Sequence, residues 1–250
     1  MHGGRDVRLS LSVIKRYNCM FQDIIKILSN GEMVTYILEG FWHSILVTFI
    51  SALLGLFLGF VVAIVKIAPE NNKWLKVPKF ICGIYTTIFR GTPVALQLFI
   101  MVFAVFAIPG FKPYAAIITF GINSGAYVSE SIRAGITSVD QGQMEAGRAL
   151  GLNWLQTMVR IILPQAIKNI IPAIGNEMIA LLKETSIIGW VGSTPGSLTF
   201  DLNAAASTIY RTVPNYLASG IIVGCCYLLV VYLMVFAIKY IEKRLKRNER

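Results

Sequence analysis

Charge is scarce in this sequence. Asp, Glu, Lys and Arg make up only 14% of its 250 residues, against roughly 25% in ordinary soluble domains. Acid is scarcer than base, 13 residues against 23, for a formal net charge of +10. The basic residues flank apolar runs instead of clustering on a polar surface, which argues against a nucleic-acid binder. The four cysteines, Cys19, Cys82, Cys225 and Cys226, form no CxxC pair and have no His/Cys ligand spacing, so neither a disulfide framework nor a metal site is expected. There is no GxxxxGK[ST] phosphate loop, so the chain is not expected to bind ATP by that route. Internal repeats, low-complexity linkers and a soluble domain are also lacking. The first residues, MHGGRDVRLSLSVIKRYN, have no short apolar segment with a cleavage site and are not expected to be a signal peptide.

Long apolar runs are what the chain does have, with 55% of residues hydrophobic. A membrane helix needs about 20 apolar residues, and five stretches qualify: about 41–67, 80–108, 114–136, 169–192 and 216–240. The expected fold is all-α, a polytopic membrane protein with a transmembrane domain over 41–240. An arm over 1–40 precedes it, partly amphipathic through Phe21, Ile24, Ile25 and Leu28 and suited to a membrane surface. A basic tail over 241–250 follows. Lys66, Lys73, Lys76 and Lys79 against Glu70, and Lys239, Lys243, Arg244, Lys246, Arg247 and Arg250 against Glu242 and Glu249, place two loops in the cytoplasm by the positive-inside rule. That sets the N-terminus outside and the C-terminus inside, with Arg5, Arg8, Lys15 and Arg16 weighing mildly the other way. The pairs Gly55/Gly59, Gly121/Gly125 and Gly220/Gly224 suit close helix packing.

One segment, 138–164, is polar and jointed between two apolar spans. Ser138 with Gln141 three residues on reads as a capping box, and the helix it opens runs to Leu150. Gly151 suits the left-handed position that ends a helix. Asn153 with Gln156 can start a second helix, with Trp154, Met158 and Ile161 on one face and Gln156 and Arg160 on another. Pro164 is expected to redirect the chain toward the membrane. These residues alone fit a helix resting on lipid as well as one that docks on a protein.

Spacing adds a resemblance. Glu145-Ala146-Gly147, three residues, Gly151, nine residues, Ile161, then Leu163-Pro164 resembles the EAA-x3-G-x9-I-x-LP signature of ABC importer permeases. Gly147 stands where that pattern usually has alanine, a change worth roughly 1 kcal/mol of helix propensity that would loosen the helix. FRGTPVALQLF (89–99), SGAYVSESIRAGI (124–136) and NEMIALLKETSIIGWVG (176–192) resemble the polar amino-acid uptake branch (histidine, arginine, lysine or glutamine type), and the likeness covers about 33–245. The resemblance implies a bacterial cytoplasmic-membrane permease paired with a second, identical or homologous, permease. It implies a dimer of ATP-binding subunits below, carrying the ATP and Mg, an extracellular or periplasmic substrate-binding protein above, and no cofactor in this chain. It also implies that Glu145, Ala146, Gly147, Gly151, Leu163 and Pro164 form the segment that docks on the ATPase.

Ionisable residues at membrane depth are costly and point to function. Glu177 and Glu184 are seven residues apart, so they lie on nearly one helix face and straddle the midplane of a ~30 Å core. Glu184, in LKETS, resembles a cavity-lining position of the family, which usually has aspartate there; the rival reading is a cap for the Thr185-Ser186 turn. Arg90-Gly91-Thr92-Pro93 interrupts a span, and Pro93 frees the carbonyl of Phe89. Such breaks expose backbone groups to substrate. Arg90 can grip an α-carboxylate or pair with Glu177 or Glu130, and Glu177 can equally be structural. Glu130 and Arg133 are spaced for an i,i+3 pair. Gln97, Thr92, Tyr127 and Ser186 complete the candidate substrate contacts, with Asn123 and Ser124 also polar on an apolar helix. Two buried carboxylates favour a basic amino acid; if Arg90 neutralises one of them the argument halves, and glutamine or another polar residue is the next reading. The expected function is the permease subunit of an ATP-driven amino-acid importer; the alternative is an ion-coupled secondary amino-acid transporter. A membrane enzyme is disfavoured because no nucleophile–base set accompanies the carboxylates.

Overall fold

In a computed structural model, residues 18–69 and 73–247 are described. The residues 1–17, 70–72 and 248–250, with Arg5, Arg8, Lys15, Arg16, Glu70, Glu249 and Arg250, lie outside them. All regular structure among the described residues is helical: α1 (18–29), α2 (Gly31–Ile67), α3 (Lys76–Gly91), α4 (Val94–Ile100), α5 (Lys112–Thr137), α6 (Gln141–Ala149), α7 (Trp154–Thr157), α8 (Leu163–Glu184), α9 (Leu202–Thr212) and α10 (Tyr216–Arg247). Wide π-type turns follow α4 (Met101–Val105) and α7 (Met158–Ile162), and a tighter 3-10 stretch follows α8 (Thr185–Val191). Contacts divide the described residues into two compact units, 18–45 with 186–230 and, apart from 70–72, 46–185 with 231–247.

By length and composition, α2 and Tyr216–Leu245 can each cross a membrane, and the bent pair Lys73–Gly91 plus Val94–Val105 adds a third if it is one span. Their large side chains, Phe49, Phe57 and Phe60 on α2 and Leu228, Tyr232 and Phe236 on α10, are exposed, as expected where lipid or another subunit is the solvent. Helix α2 begins at Gly31, ten residues before the first expected span, because Asn30 caps it: its Oδ1 accepts from Glu32 N at 3.0 Å and Met33 N at 3.1 Å. The fourth expected span runs to 192, whereas α8 ends at Glu184 and gives way to the 3-10 stretch.

In the first unit, Ile27, Met33 and Ile37 pack on Leu202, Ala206 and Ile209 of α9 and Val223 of α10. Asp201 starts α9 by accepting from Ala204 N at 2.8 Å. The residue is 1% exposed, its other carboxylate oxygen has no partner, and burial pushes its carboxyl up to about 7 despite its backbone N–H bonds. No described residue of this chain packs on Gly220 or Gly224: a Cβ at either would meet nothing within 4 Å.

In the second unit, α5 is the hub, packing most extensively on α8 and also on α3 and α4. Its close partner is α2: a Cβ on Gly55 would lie 2.8 Å from Ser124, and one on Gly59 2.5 Å from Val128 Cγ1. Gly121 and Gly125 return the contact, against Leu54 and against Tyr85 and Leu58. Both glycine pairs therefore let backbones approach, as their spacing predicts.

Candidate functional site

The chain breaks between α3 and α4 at Thr92-Pro93, and the two helices are bent by 107°. Pro93 has no N–H to give Phe89 O, and the freed carbonyl is taken by two side-chain amides: Gln97 Nε2 and Asn123 Nδ2, each at 3.0 Å. Gln97 Nε2 also reaches Thr92 O at 3.1 Å and Thr92 Oγ1 at 2.8 Å, and Asn123 Nδ2 reaches Gln97 Oε1 at 2.8 Å. Gln97 and Asn123 are 7% and 2% exposed, so their amides are engaged inside the protein as a clasp on the broken helix. Asn123 as the second half of that clasp was not foreseen, because its partner lies 34 residues away.

Arg90, in the last turn of α3, sits between two carboxylates. Its Nη1 lies 3.9 Å from Glu130 Oε2, too far for a hydrogen bond, and its guanidinium lies over the Tyr127 ring at 5.4 Å. It also acts electrostatically on Glu177, which accepts a hydrogen bond from Ser124 and faces Glu184. Arg90, Tyr127, Ser124, Glu177 and Glu184 therefore share one polar region of the second unit. Thr92 is exposed beside it. Ser186 belongs to the other unit, where its carbonyl accepts from Asn203 Nδ2 at 3.3 Å.

Glu130 is the centre of a charged recess of about 510 Å³ lined by Lys66, Thr86, Thr87, Arg90, Gly91, Glu130 and Arg133. Lys66 Nζ pairs with Glu130 Oε1 and donates to Thr86 Oγ1 at 3.1 Å. Arg133 Nε donates to Glu130 Oε2 at 2.8 Å, the expected i,i+3 pair. Lys66, 64 residues away, was legible only as a loop-flanking cation.

The jointed segment folds largely as its residues require, with one correction. The cap of α6 is Asp140, whose Oδ1 accepts from Gly142 N at 2.8 Å; Ser138 instead closes α5 through Gly135 O. Pro164 lies in the first turn of α8. The widened turn at Met158–Ile162 joins α7 to α8, and Ile162 is buried within it. Gly151 has φ +83° and completes a 6→1/5→2 closure: Leu152 N bonds Gly147 O at 3.1 Å and Gly151 N bonds Arg148 O at 3.0 Å. Asn153 and Gln156 form the expected capping box. Glu145, Ala146, Arg148 and Leu150 are exposed on α6, while Gly147 is buried against Thr157. Trp154 and Met158 line an apolar pocket with Phe60, Ile64 and Ile136.

Two long apolar helices, a broken helix clasped by amides, carboxylates facing a cation, and a polar elbow fused to α8 define a membrane transport component. Residues 55–247 match the family described as the binding-protein-dependent transport system inner membrane component, and the chain belongs to that family. It is 39% identical over 219 residues to the arginine transport system permease protein ArtQ of Bacillus subtilis (strain 168), covering 86% of this chain and 95% of that one. It is 40% identical over 229 residues to the putative glutamine transport system permease protein GlnP of Rickettsia bellii (strain RML369-C), covering 90% of this chain and 99% of that one. Among solved structures, an amino acid ABC transporter with histidines superposes at TM-score 0.76 with 33% identity, covering 87% of this chain and 98% of that one. An inward-facing methionine transporter, MetNI, superposes at 0.72 with 21% identity over 86% and 99%, which shows the fold alone.

Proposed function

We propose that this chain is the permease subunit of an ATP-driven importer for a polar, basic amino acid. It works in the bacterial cytoplasmic membrane by alternating access between outward- and inward-open states. The family and the amino-acid permeases it resembles support an importer; the ion-coupled alternative gains no support from them. In this reading five crossings leave the N-terminus outside and the C-terminus inside, and a second permease copy or homologue completes the path. A substrate-binding protein delivers from outside, and a pair of ATP-binding subunits holds ATP and Mg, this chain contributing no cofactor.

The observation that carries the reading is the direct joining of α6, exposed at Glu145 and Ala146, through α7 and the widened turn to α8, which bears Glu177 and Glu184. Motion of the ATPase against α6 then reaches the carboxylates along one run of chain: the Gly151 turn, α7, the widened turn and α8. Gly147, Gly151, Leu163 and Pro164 shape that run and Glu145 and Ala146 meet the partner. Glu177 and Glu184 take the substrate's side-chain cation and Arg90 its α-carboxylate, with Tyr127 as a further contact. Gln97 and Thr92 act by holding the broken helix open to the path. Reconstitution with an ATPase and binding protein tests this: uptake of labelled arginine or glutamine is expected with ATP and not with a proton gradient alone. The reverse dependence overturns it.

A further inference from the structure

The charged recess around Glu130 has more positive charge than it can neutralise. Lys66, Arg90 and Arg133 meet Glu130 there, and Glu177 shares Arg90, which leaves one excess cation. The cations are not equivalent. Lys66 is committed to Glu130 and Thr86, and its side chain is only 18% exposed. Arg90 and Arg133 are 43% and 45% exposed and stand at the rim. Arg133 bonds Glu130 through Nε, and Arg90 stays 3.9 Å away, so each keeps terminal N–H groups for a further oxyanion. Thr87 lines the same recess. Charged side chains within membrane helices face a water-filled path and pair with what passes, and the recess has the volume of a small-molecule site.

Its place in the fold selects the oxyanion. Asn123, Tyr127 and Glu130 follow one another at four and three residues along one face of α5. The recess therefore lies about 10 Å along the helix from the clasp at Asn123, toward the end of α5 that leads into the elbow. Arg90 is common to both levels, facing Glu177 at one and Glu130 at the other. We propose that this recess is a second station for the transported amino acid, on the elbow side of the Glu177 level, where Arg133 and Thr87 receive the α-carboxylate that Arg90 passes on. Glu130 and Lys66 are positioning residues: Lys66 fixes the carboxylate, and the carboxylate aims the two arginines. This rests on the importer reading and adds to it a place where substrate pauses before release.

The test uses the assembled nucleotide-free transporter in neutral-lipid nanodiscs, with radiolabelled arginine and glutamine as probes and arginine amide as a carboxylate-blocked competitor. In a Glu177→Gln, Glu184→Gln background, which silences the first station for arginine, the transporter should prefer the acid over the amide at least tenfold, and adding Arg133→Gln should make it bind at least tenfold more weakly and lose that preference. Arg133→Lys, which keeps the charge, and Thr87→Val serve if Arg133→Gln does not assemble; the lysine should retain the preference and the valine weaken it severalfold. Equal binding of acid and amide, no binding of either probe, or an Arg133→Gln preference unchanged within twofold overturns the second station. So does displacement of arginine by phosphatidylglycerol that Arg133→Gln abolishes, since the recess would then hold a lipid phosphate. Uptake measured alongside separates the two readings: ATP-driven uptake with an Arg133-independent preference removes only this station, whereas ATP-independent uptake removes the importer reading itself.

Discussion

Gly147 and Thr157 are fitted to each other. A Cβ on Gly147 would lie 2.5 Å from Thr157 Cγ2 and 2.9 Å from its Oγ1, so α6 packs on α7 only because that position lacks a side chain. The family pattern's alanine is replaced where threonine stands opposite, and α6 runs through the glycine without a break. Gly147→Ala should therefore destabilise the elbow in spite of its better helix propensity, by about 1–3 kcal/mol for overpacking. Thr157→Ala in the same chain should recover most of the loss, as thermal melts of the four proteins of a double-mutant cycle would show. Additive effects of the two changes would disprove the fit.

Glu145 is exposed on the same helix and makes no contribution to the packing just described. Glu145→Lys should leave the melting temperature within a degree or two while lowering uptake per ATP hydrolysed severalfold in vesicles. Unchanged coupling would remove α6 as the docking element.

The clasp at the broken helix predicts a different kind of loss. Asn123→Ala withdraws a donor from Phe89 O and from Gln97 Oε1 inside the protein. An unsatisfied buried polar group costs about 1–3 kcal/mol, so the substitution should lower stability by about that much and increase proteolysis near 92–93. Insensitivity to both measurements would mean that water replaces the amide.

Glu184→Gln keeps shape and removes charge. Uptake of arginine should fall at least tenfold and that of glutamine little, if the carboxylate meets a substrate cation. Equal effects on both would assign Glu184 to the Thr185 turn instead.

Asp201 lies between α8 and α10, outside both long apolar helices, and its carboxyl is pushed from an ordinary 3.8 up to about 7 by burial. The folded protein thus favours the protonated acid. Below about pH 4 both folded and unfolded chains are protonated and this group costs nothing; the cost builds as pH rises from about 4 and levels off above about 7. Asp201→Asn keeps the capping oxygen, so the mutant should gain in melting temperature on wild type from pH 4 to pH 8. A gap that does not change with pH would show that the backbone donors hold the carboxylate charged.

What could be read from the sequence was mostly local. Asn153 with Gln156, Gly151 at the end of α6, and the carbonyl freed by Pro93 depend on neighbours within a few residues, and each is found where its spacing places it. Gly55 and Gly59 were also legible, since small residues a turn apart leave a groove whatever fills it. Lys66 on Glu130 and Asn123 on Phe89 O were not, because nothing in spacing joins residues on different helices. Ser138 lost to Asp140 because α5 continues to Thr137 and uses the serine for its own end. Asp201 carried a signal that passed unused: an aspartate just ahead of LNAAAS is a helix start, and it sits between the fourth and fifth expected spans.

The turn at Met158–Ile162 holds one residue more than an α-helical ladder would need. Each residue of an α-helix advances the azimuth by about 100°, so everything after that turn is rotated by about that angle from where an uninterrupted rod would set it. Removing any single residue from 158–162, whatever its identity, would straighten the ladder and swing Glu177 and Glu184 about a quarter-turn away from Ser124 and Arg90. The aim of the carboxylates is thus fixed by a count of peptide units outside the path.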